Sequence, residues 1–198
     1  MEIKKAAFIT SNQDYRNCPD HQLTEFAFIG RSNVGKSSLI NMLTNQKRLA
    51  KISGKPGKTL LINHFLMNDN WYLVDLPGYG FARIPKAMQR KLQQMIEAYI
   101  LKRENLTQLF ILIDGRHEPM KVDIDFINWV GGQGVPFALI FTKSDKSKRR
   151  ELNKILQLYE ERLKESWDEL PKIFVTSATN GEGKAEVLKH IQQIIEQV

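Results

Sequence analysis

The segment from residue 30 to residue 37 reads GRSNVGKS and follows a short apolar run. It matches in full the pattern G-x-x-x-x-G-K-[ST], whose glycines let successive backbone N–H groups point inward around phosphate oxygens. The helix predicted to follow adds the partial positive charge of its N-terminus. The Lys36 ammonium is expected to reach the β- and γ-phosphates, and the Ser37 hydroxyl to bind Mg²⁺ directly. The predicted phosphate-loop contacts are Gly30, Arg31, Ser32, Asn33, Val34, Gly35, Lys36, Ser37 and Ser38.

A second segment, DLPGYG, covers residues 75–80 at the end of a predicted strand. Asp75 can reach Mg²⁺ through a water molecule, and the N–H of Gly78 can meet the γ-phosphate. Many nucleotide hydrolases carry a glutamine next in the chain to orient the attacking water, whereas this chain has Tyr79. A phenol with a pKa near 10 is a poor general base at neutral pH, so Tyr79 is predicted not to be the catalytic group. The predicted nucleotide contacts here are Asp75, Leu76, Pro77 and Gly78.

Two later segments can recognise a nucleotide base. Residues 142–145 read TKSD and follow an apolar strand, and residues 177–179 read SAT after the next strand. A carboxylate at Asp145 can accept hydrogen bonds from the N1–H and N2–H₂ groups of guanine, whereas adenine offers no such pair of donors. Guanine is therefore preferred over adenine in this interpretation. The predicted base contacts are Thr142, Lys143, Ser144, Asp145, Ser177, Ala178 and Thr179.

The elements that must position these segments alternate between apolar strands and amphipathic helices. Continuous apolar strands separated by such helices are typical of a mostly parallel sheet covered on both faces, an α/β protein with three layers in the order α/β/α. Residues 61–67 and 71–76 flank a polar turn and are predicted to form a hairpin that adds one antiparallel edge strand. Ligands of such sheets bind at the carboxyl ends of the strands, where all the segments above lie.

Length and composition favour one domain in a reducing compartment. The chain has 198 residues, a single cysteine and no apolar run long enough to span a bilayer, so we expect a cytoplasmic protein without a membrane partner. We expect one nucleotide-binding domain over residues 1–198, with an N-terminal extension over 1–22 and the core over 23–198. A monomer is the expected oligomeric state.

The charge balance points to a polyanionic partner. The formal net charge is +7, and two basic clusters occupy residues 47–59, KRLAKISGKPGKT, and residues 146–150, KSKRR. Basic patches of this kind attract nucleic acid or acidic membrane surfaces, but charge runs are also common on ordinary solvated surfaces. For each cluster, contact with a polyanion and an ordinary solvated surface both remain open.

The chain resembles the EngB (YihA/YsxC-type) family of bacterial GTPases, within the class that includes TrmE and Era. The matching stretches are GRSNVGKSSLIN, KPGKT, VDLPGYGFA, IDGRH, TKSDK and TSAT, which span residues 30–179. The resemblance implies the small G-domain form of the P-loop NTPase fold. It also implies a GTPase with slow intrinsic hydrolysis that acts in assembly of the large ribosomal subunit and is linked to cell division and septation. The implied partners are the large ribosomal subunit or its precursor, rRNA and ribosomal proteins.

The resemblance also assigns residues outside the phosphate loop. Thr59 corresponds to a threonine that completes Mg²⁺ coordination in the triphosphate state, and Gly57 and Lys58 precede it in the nucleotide-binding segment. Asn33 corresponds to an asparagine that helps to hold K⁺ in TrmE-type GTPases. Many GTPases have asparagine where this chain has Thr142, which implies loose nucleotide binding. The predicted catalytic residues are Lys36, Thr59 and Gly78, with Mg²⁺ held by Ser37 and Thr59 and, through water, by Asp75.

The sequence leaves open the function of the protein and the role of the segment DGRH. The protein can be a GTP-regulated assembly factor, or a GTP-gated RNA-binding module whose hydrolysis is incidental. A phosphotransferase such as a nucleotide kinase is a third candidate, but the arginine-rich lid that it needs is not evident in the sequence. The segment DGRH at residues 114–117 can be loop scaffolding or a partner contact.

Overall fold

The computed structural model describes residues 1–50, 61–80 and 84–198. Its strands are β1 (Ala6–Asn12), β2 (Glu25–Gly30), β3 (Ile62–Met67), β4 (Trp71–Asp75), β5 (Leu106–Asp114), β6 (Phe137–Thr142) and β7 (Lys172–Val175). Its α-helices are α1 (Lys36–Leu43), α2 (Lys86–Lys102), α3 (Lys121–Gly132), α4 (Arg149–Lys164) and α5 (Lys184–Ile195).

The strands form one sheet in the order β1-β3-β4-β2-β5-β6-β7. Strand β2 is central and pairs in parallel with β4 and β5, and the parallel pairing continues through β6 and β7. Strand β3 is antiparallel to both of its neighbours. The predicted α/β class with a mostly parallel sheet is confirmed.

The two faces of the sheet are buried by different helices. Phe26 and Phe28 of β2 pack in a core with residues of α1 and α5. Ala27 and Ile29, which alternate with them, pack in a second core with residues of α2, α3 and α4. Because successive side chains of a strand point to opposite faces, a strand buried on both sides is apolar at every position. Burial of β2 on both faces explains the unbroken apolar run before the phosphate loop. The helices on the two faces of the sheet give the fold three layers.

Strand β1 was not predicted, and it lies outside β3 at the edge of the sheet. It pairs antiparallel with β3, and the register shifts between Phe8 and Thr10. A bulge of this kind breaks the alternation of inward and outward side chains, and both Phe8 and Ile9 are exposed. The alternation that identifies a strand in a sequence is therefore missing from this segment. The antiparallel strand of the hairpin is consequently second from the edge.

A buried polar cluster lies at the amino end of the parallel strands, opposite the end where the predicted site lies. The carboxylate of Glu25 accepts hydrogen bonds from Arg103 Nη2 at 2.6 Å and from the Tyr99 hydroxyl at 2.5 Å. Burial raises the pKa of Glu25, but the neighbouring His64 ring and the hydrogen bonds from Arg103 outweigh it and bring the value down to about 2. Arg103 Nη2 also donates to the Pro19 carbonyl oxygen at 2.6 Å, which ties the N-terminal segment to the residue that follows α2.

Helix α3 ends at Gly132. The residue before it, Gly131, has to be glycine for a steric reason. A Cβ built there would lie 1.5 Å from Cη2 of Trp167, whose indole N–H donates to Asn128 Oδ1 at 2.7 Å. The absence of a side chain at Gly131 thus lets the Trp167 ring pack against α3.

Candidate nucleotide-binding site

The phosphate loop connects β2 to α1 and contains two residues in the left-handed backbone conformation. Asn33 has φ 64° and Gly35 has φ 104°, and α1 begins at the next residue, Lys36. The N–H of Val34 donates to the Arg31 carbonyl at 3.2 Å, which closes a turn inside the loop. Loops with left-handed residues before a helix turn their backbone N–H groups toward a common centre and so form an anion site.

The segment DLPG packs directly against the phosphate loop. A Cβ built on Gly78 would lie 2.5 Å from the Gly30 carbonyl oxygen, so only glycine fits at this approach. An isolated parallel bridge joins Arg31 to Tyr79. The two phosphate-facing segments predicted from the sequence are therefore adjacent in the fold.

The ammonium of Lys36 contacts Oδ1 of Asp75 in an ion pair between the first turn of α1 and the end of β4. Both side chains are almost fully buried. Burial lowers the pKa of Lys36, because it removes water from the ammonium. A polyanion bound in the loop would compete with Asp75 for this lysine.

Two residues at this pair carry oxygen donors suited to Mg²⁺. Ser37 follows Lys36 in the first turn of α1, and Asp75 ends β4. A hydroxyl and a carboxylate are the hard ligands that Mg²⁺ prefers, so these residues fit the ion. Gly57, Lys58 and Thr59, which the family resemblance adds to the site, lie outside the described residues.

Tyr79 is turned away from the phosphate loop. Its hydroxyl donates to Oδ1 of Asp123 on α3 at 2.9 Å, and its ring stacks on Phe126 with a centroid separation of 4.1 Å. Burial, followed by the nearby Asp123 carboxylate, raises the pKa of Tyr79 well above its usual value. The phenol therefore stays protonated and is held by the core.

Asp123 also connects Tyr79 to the phosphate loop. Nη1 of Arg31 lies 3.6 Å from Oδ2 of Asp123, and the Tyr159 hydroxyl lies 3.5 Å from the same oxygen. The Arg31 guanidinium therefore points toward α3. At this position, only the backbone of Arg31 faces the predicted phosphate site. Sequence reasoning missed Asp123, since no local motif surrounds it.

Residues 142–145, which are predicted to bind the base and are called the base loop below, are bonded to the phosphate loop. The Thr142 hydroxyl lies 2.5 Å from the Val34 carbonyl oxygen, and Lys143 Nζ lies 2.7 Å from the Asn33 carbonyl oxygen. Lys143 itself has φ 62°. Segments more than a hundred residues apart in the sequence thus form one site.

The two base-recognition segments also meet each other. The Ser177 hydroxyl donates to Oδ1 of Asp145 at 2.6 Å. This hydrogen bond, together with Lys146, lowers the pKa of Asp145, so the carboxylate is charged at neutral pH and can accept from a base. The Ser177 oxygen also lies 3.2 Å from the N–H of Thr179, which shapes the segment through Ala178. The Ser144 hydroxyl donates to the carboxylate of Glu182, a residue outside the sequence motifs.

Within the ranges that the structure covers, no helix combines the length and the apolar character needed to cross a membrane.

Comparison with known proteins agrees with this geometry. The sequence model of the 50S ribosome-binding GTPase family matches residues 25–143. A probable GTP-binding protein EngB of Porphyromonas gingivalis is 57% identical over 194 residues, which covers 98% of this chain and 96% of that protein.

Two solved structures share the fold. A crystal structure of a probable GTP-binding protein EngB superposes with a TM-score of 0.71 at 23% identity, over 88% of this chain and 100% of the other. A structure of Era in complex with MgGDPNP and nucleotides 1506–1542 of 16S ribosomal RNA has a TM-score of 0.66 at 24% identity, over 88% of this chain and 57% of Era.

A phosphate loop at the end of β2, an adjacent DLPG segment and a loop that carries the Asp145 carboxylate, together with the match to the GTPase family model, define a P-loop GTPase domain. Relatives more than half identical over nearly the whole length narrow the class further. The chain belongs to the EngB family of GTP-binding proteins.

Proposed function

We propose that this GTPase acts as a nucleotide-controlled switch in assembly of the large ribosomal subunit. The observation that carries the proposal is the match to the 50S ribosome-binding GTPase family over the segment that contains the phosphate loop and the start of the base loop. The related GTPase Era, which shares the fold, has been crystallised with a segment of ribosomal RNA. A link to cell division and septation follows from family resemblance.

The binding roles follow the geometry of the site. Lys36 and the loop backbone bind the β- and γ-phosphates, the Gly78 N–H meets the γ-phosphate, and Asp145 reads guanine. Mg²⁺ is held by Ser37 and Thr59 and, through water, by Asp75; when bound, the ion neutralises charge on the phosphates. Residues 23–198 form the GTP-binding core in this proposal, and residues 1–22 extend it.

Intrinsic hydrolysis is slow in this proposal, because the residue after Gly78 does not position water. The support is the contact between Tyr79 and Asp123, which directs the side chain into the core. Faster GTP hydrolysis then requires a group other than the side chain of Tyr79. A K⁺ ion held with the help of Asn33, or a group supplied by the ribosome, meets this requirement.

The basic cluster at residues 146–150 is the proposed rRNA contact within the described residues. Two of its cations have acidic partners in the protein: Lys146 lies 3.1 Å from Asp145, and Arg149 lies 3.1 Å from Glu182. Exposed Lys148 and Arg150 are the cluster's best candidates for RNA phosphates. The cluster adjoins Asp145, so guanine binding and RNA contact occur side by side. The second basic segment, residues 47–59, lies mostly outside the described residues.

We place the protein in the cytoplasm as a monomer that binds the large subunit or its precursor through rRNA and ribosomal proteins. The test is co-sedimentation with purified large ribosomal subunits in the presence of GDP or a non-hydrolysable GTP analogue. Stronger binding with the analogue, lost on lowering Mg²⁺, is the expected result. Equal binding in the two nucleotide states would refute the switch.

The same assay separates the switch from a GTP-gated RNA-binding module. GTP turnover that rises when subunits are added supports the assembly factor. Binding that depends on GTP, without any rise in turnover, supports the module. The double variant Lys148→Gln and Arg150→Gln should weaken subunit binding and reduce its salt dependence, because fewer phosphates are neutralised. The matched control is Lys164→Gln with Lys189→Gln, far from the base loop in the sequence.

A further inference from the structure

The segment DGRH, which the sequence left as scaffolding or a partner contact, meets the base loop. Nζ of Lys143 lies 2.7 Å from the Asn33 carbonyl oxygen of the phosphate loop and 2.7 Å from Oδ2 of Asp114, at the end of β5. The lysine thus connects three segments. Its ammonium has one partner in the phosphate loop and one anionic partner behind it.

Asp114 is itself held in place. Nε of Arg116 donates to Oδ1 at 2.8 Å and Nη2 donates to Oδ2 at 2.8 Å, a two-bond guanidinium–carboxylate pair. Burial raises the pKa of Asp114, but hydrogen bonds from Arg116 and Lys143 outweigh it and hold the pKa well below its usual value. The carboxylate is therefore charged whenever the protein is folded near neutral pH.

The backbone between these residues fits the base loop closely. The N–H of Gly115 donates to the Thr142 carbonyl at 2.9 Å, and a Cβ on Gly115 would lie 2.9 Å from the same oxygen. Arg116 is exposed, but the Nε and Nη2 groups of its guanidinium are used in the pair with Asp114. The geometry therefore favours an internal role for residues 114–116 over a partner contact.

The presence of threonine at position 142 makes the Lys143 contact with the phosphate loop more important. A threonine hydroxyl carries one proton, and the Thr142 oxygen faces two carbonyls, Val34 at 2.5 Å and Ile113 at 3.1 Å. Its proton is used inside the protein, so Thr142 braces the phosphate loop but has no donor left for a base. An asparagine amide, with two N–H donors, can do both. The remaining connection between base loop and phosphate loop runs through Lys143.

A polar cavity of about 160 Å³ borders this arrangement, lined by Asn33, Asp114, Arg116 and Lys143 among others. A lysine side chain next to a cavity has space to move if its anionic partner is removed. The position of the ammonium over the Asn33 carbonyl therefore depends on Asp114 more than it would in a close-packed core.

We propose that Asp114, oriented by Arg116, is a positioning residue for the nucleotide: it holds the Lys143 ammonium on the phosphate loop, so that base loop and phosphate loop bind guanine nucleotides as one unit. The proposal rests on the proposed assignment of residues 142–145 to the base. It gives DGRH a role in nucleotide retention, although Asp114 itself does not touch the nucleotide.

The test measures the dissociation rate of fluorescently labelled GDP by stopped flow. Asp114→Asn keeps the size of the side chain and removes its charge, and it should speed dissociation about tenfold, the value of one charge-assisted hydrogen bond. Asp69→Asn, the same change at an exposed turn between β3 and β4, is the control and should leave the rate unchanged. An unchanged rate in Asp114→Asn would overturn the proposal.

A double-mutant cycle with Lys143→Met separates positioning from general destabilisation. If Asp114 acts through Lys143, adding Asp114→Asn to Lys143→Met should change the dissociation rate little further. Fully additive effects would show that Asp114 supports the fold without acting on the lysine. If Asp114→Asn does not fold, Arg116→Gln replaces it in the cycle, with an expected threefold to fivefold effect, on the order of half that bond energy.

The base-loop assignment is tested separately with Asp145→Asn. Unchanged GDP affinity in that variant would refute the assignment itself. A strong loss of affinity there, combined with additivity in the cycle, would refute only the role of Asp114. The two failures are therefore distinguishable.

Discussion

The hydroxyl oxygen of Tyr79 lies 2.9 Å from Oδ1 of Asp123, so the residue that follows Gly78 is bonded to helix α3 and not directed at the phosphate site. Asp123 in turn lies 3.6 Å from the Arg31 guanidinium. The tyrosine therefore connects the DLPG segment, through the buried Asp123 carboxylate, to the side chain of Arg31 in the phosphate loop. In this chain the position commonly occupied by a water-orienting glutamine has an anchoring role.

Replacing Tyr79 with phenylalanine tests that role. Tyr79→Phe keeps the ring stacked on Phe126 but removes the hydroxyl that donates to Oδ1 of Asp123. We expect basal GTP hydrolysis to stay within about twofold of the wild type, and the free energy of unfolding to fall by about 1–2 kcal/mol. Single-turnover hydrolysis and urea denaturation measure the two quantities. Loss of turnover with normal GTP affinity and stability would mean that the phenol takes part in catalysis.

Changing the carboxylate of the base loop to an amide should change base specificity. Asp145→Asn can no longer accept two hydrogen bonds from guanine, and its N–H₂ group can donate to the 2-oxo group of xanthine. We expect GDP affinity to fall about 100-fold, because two hydrogen bonds to a charged group are lost, and XDP to bind in its place. Isothermal titration with both nucleotides is the measurement. Asp125→Asn, an exposed carboxylate on α3, serves as control, and equal GDP affinity in both variants would contradict the prediction.

Monovalent cations should affect hydrolysis through Asn33. A K⁺ ion near the phosphates would offset negative charge that develops during transfer, so turnover in K⁺ should exceed turnover in Na⁺ by about tenfold. Asn33→Gly is the informative variant, because Asn33 has φ 64° and glycine adopts that conformation without strain. The variant should lose the preference for K⁺ while retaining GTP binding. Equal rates of the wild type in the two salts would exclude the ion.

Glu25 should make stability depend on pH in the acidic range. Its pKa is about 2 in the folded protein against an ordinary value of 4.5. The resulting stabilisation, about 3 kcal/mol, is complete above pH 4.5 and is lost as the pH falls from 4.5 toward 2. Glu25→Gln should therefore lower the free energy of unfolding at pH 7 and flatten its dependence on pH below 4.5.

Glu165→Gln is the matched control for that experiment. The pKa of Glu165 is also lowered, by a hydrogen bond from Arg162, but both side chains are solvent-exposed. Exposed ion pairs contribute little, so this variant should follow the wild-type curve. Denaturant titrations at pH 7 and pH 3 make the comparison. A Glu25→Gln variant as stable as Glu165→Gln at pH 7 would show that the buried cluster does not stabilise the fold.

Sequence reasoning reached the parts of the site that are local in the chain. The phosphate loop, the DLPG segment and the base loop are short contiguous motifs at strand ends, and unbroken apolar strands predict a parallel sheet. It did not identify Asp123, because the partner of Tyr79 lies 44 residues away in the sequence and carries no motif. The role proposed for Asp114 could be inferred only from its distance to Lys143 in the structure. Strand β1 could not be predicted, because its bulge disrupts the alternation of inward and outward side chains.

The burial of Cys18 has a practical consequence. It is the only cysteine of the chain, it lies in the core next to the segment tied down by Arg103, and burial raises the pKa of its thiol to about 12. Since the thiolate is the reactive form, alkylating dyes should modify the folded protein very slowly. A cysteine engineered on the surface can then be labelled selectively without removing the native one. Slow modification of Cys18 itself would report how often the N-terminal segment detaches from α2.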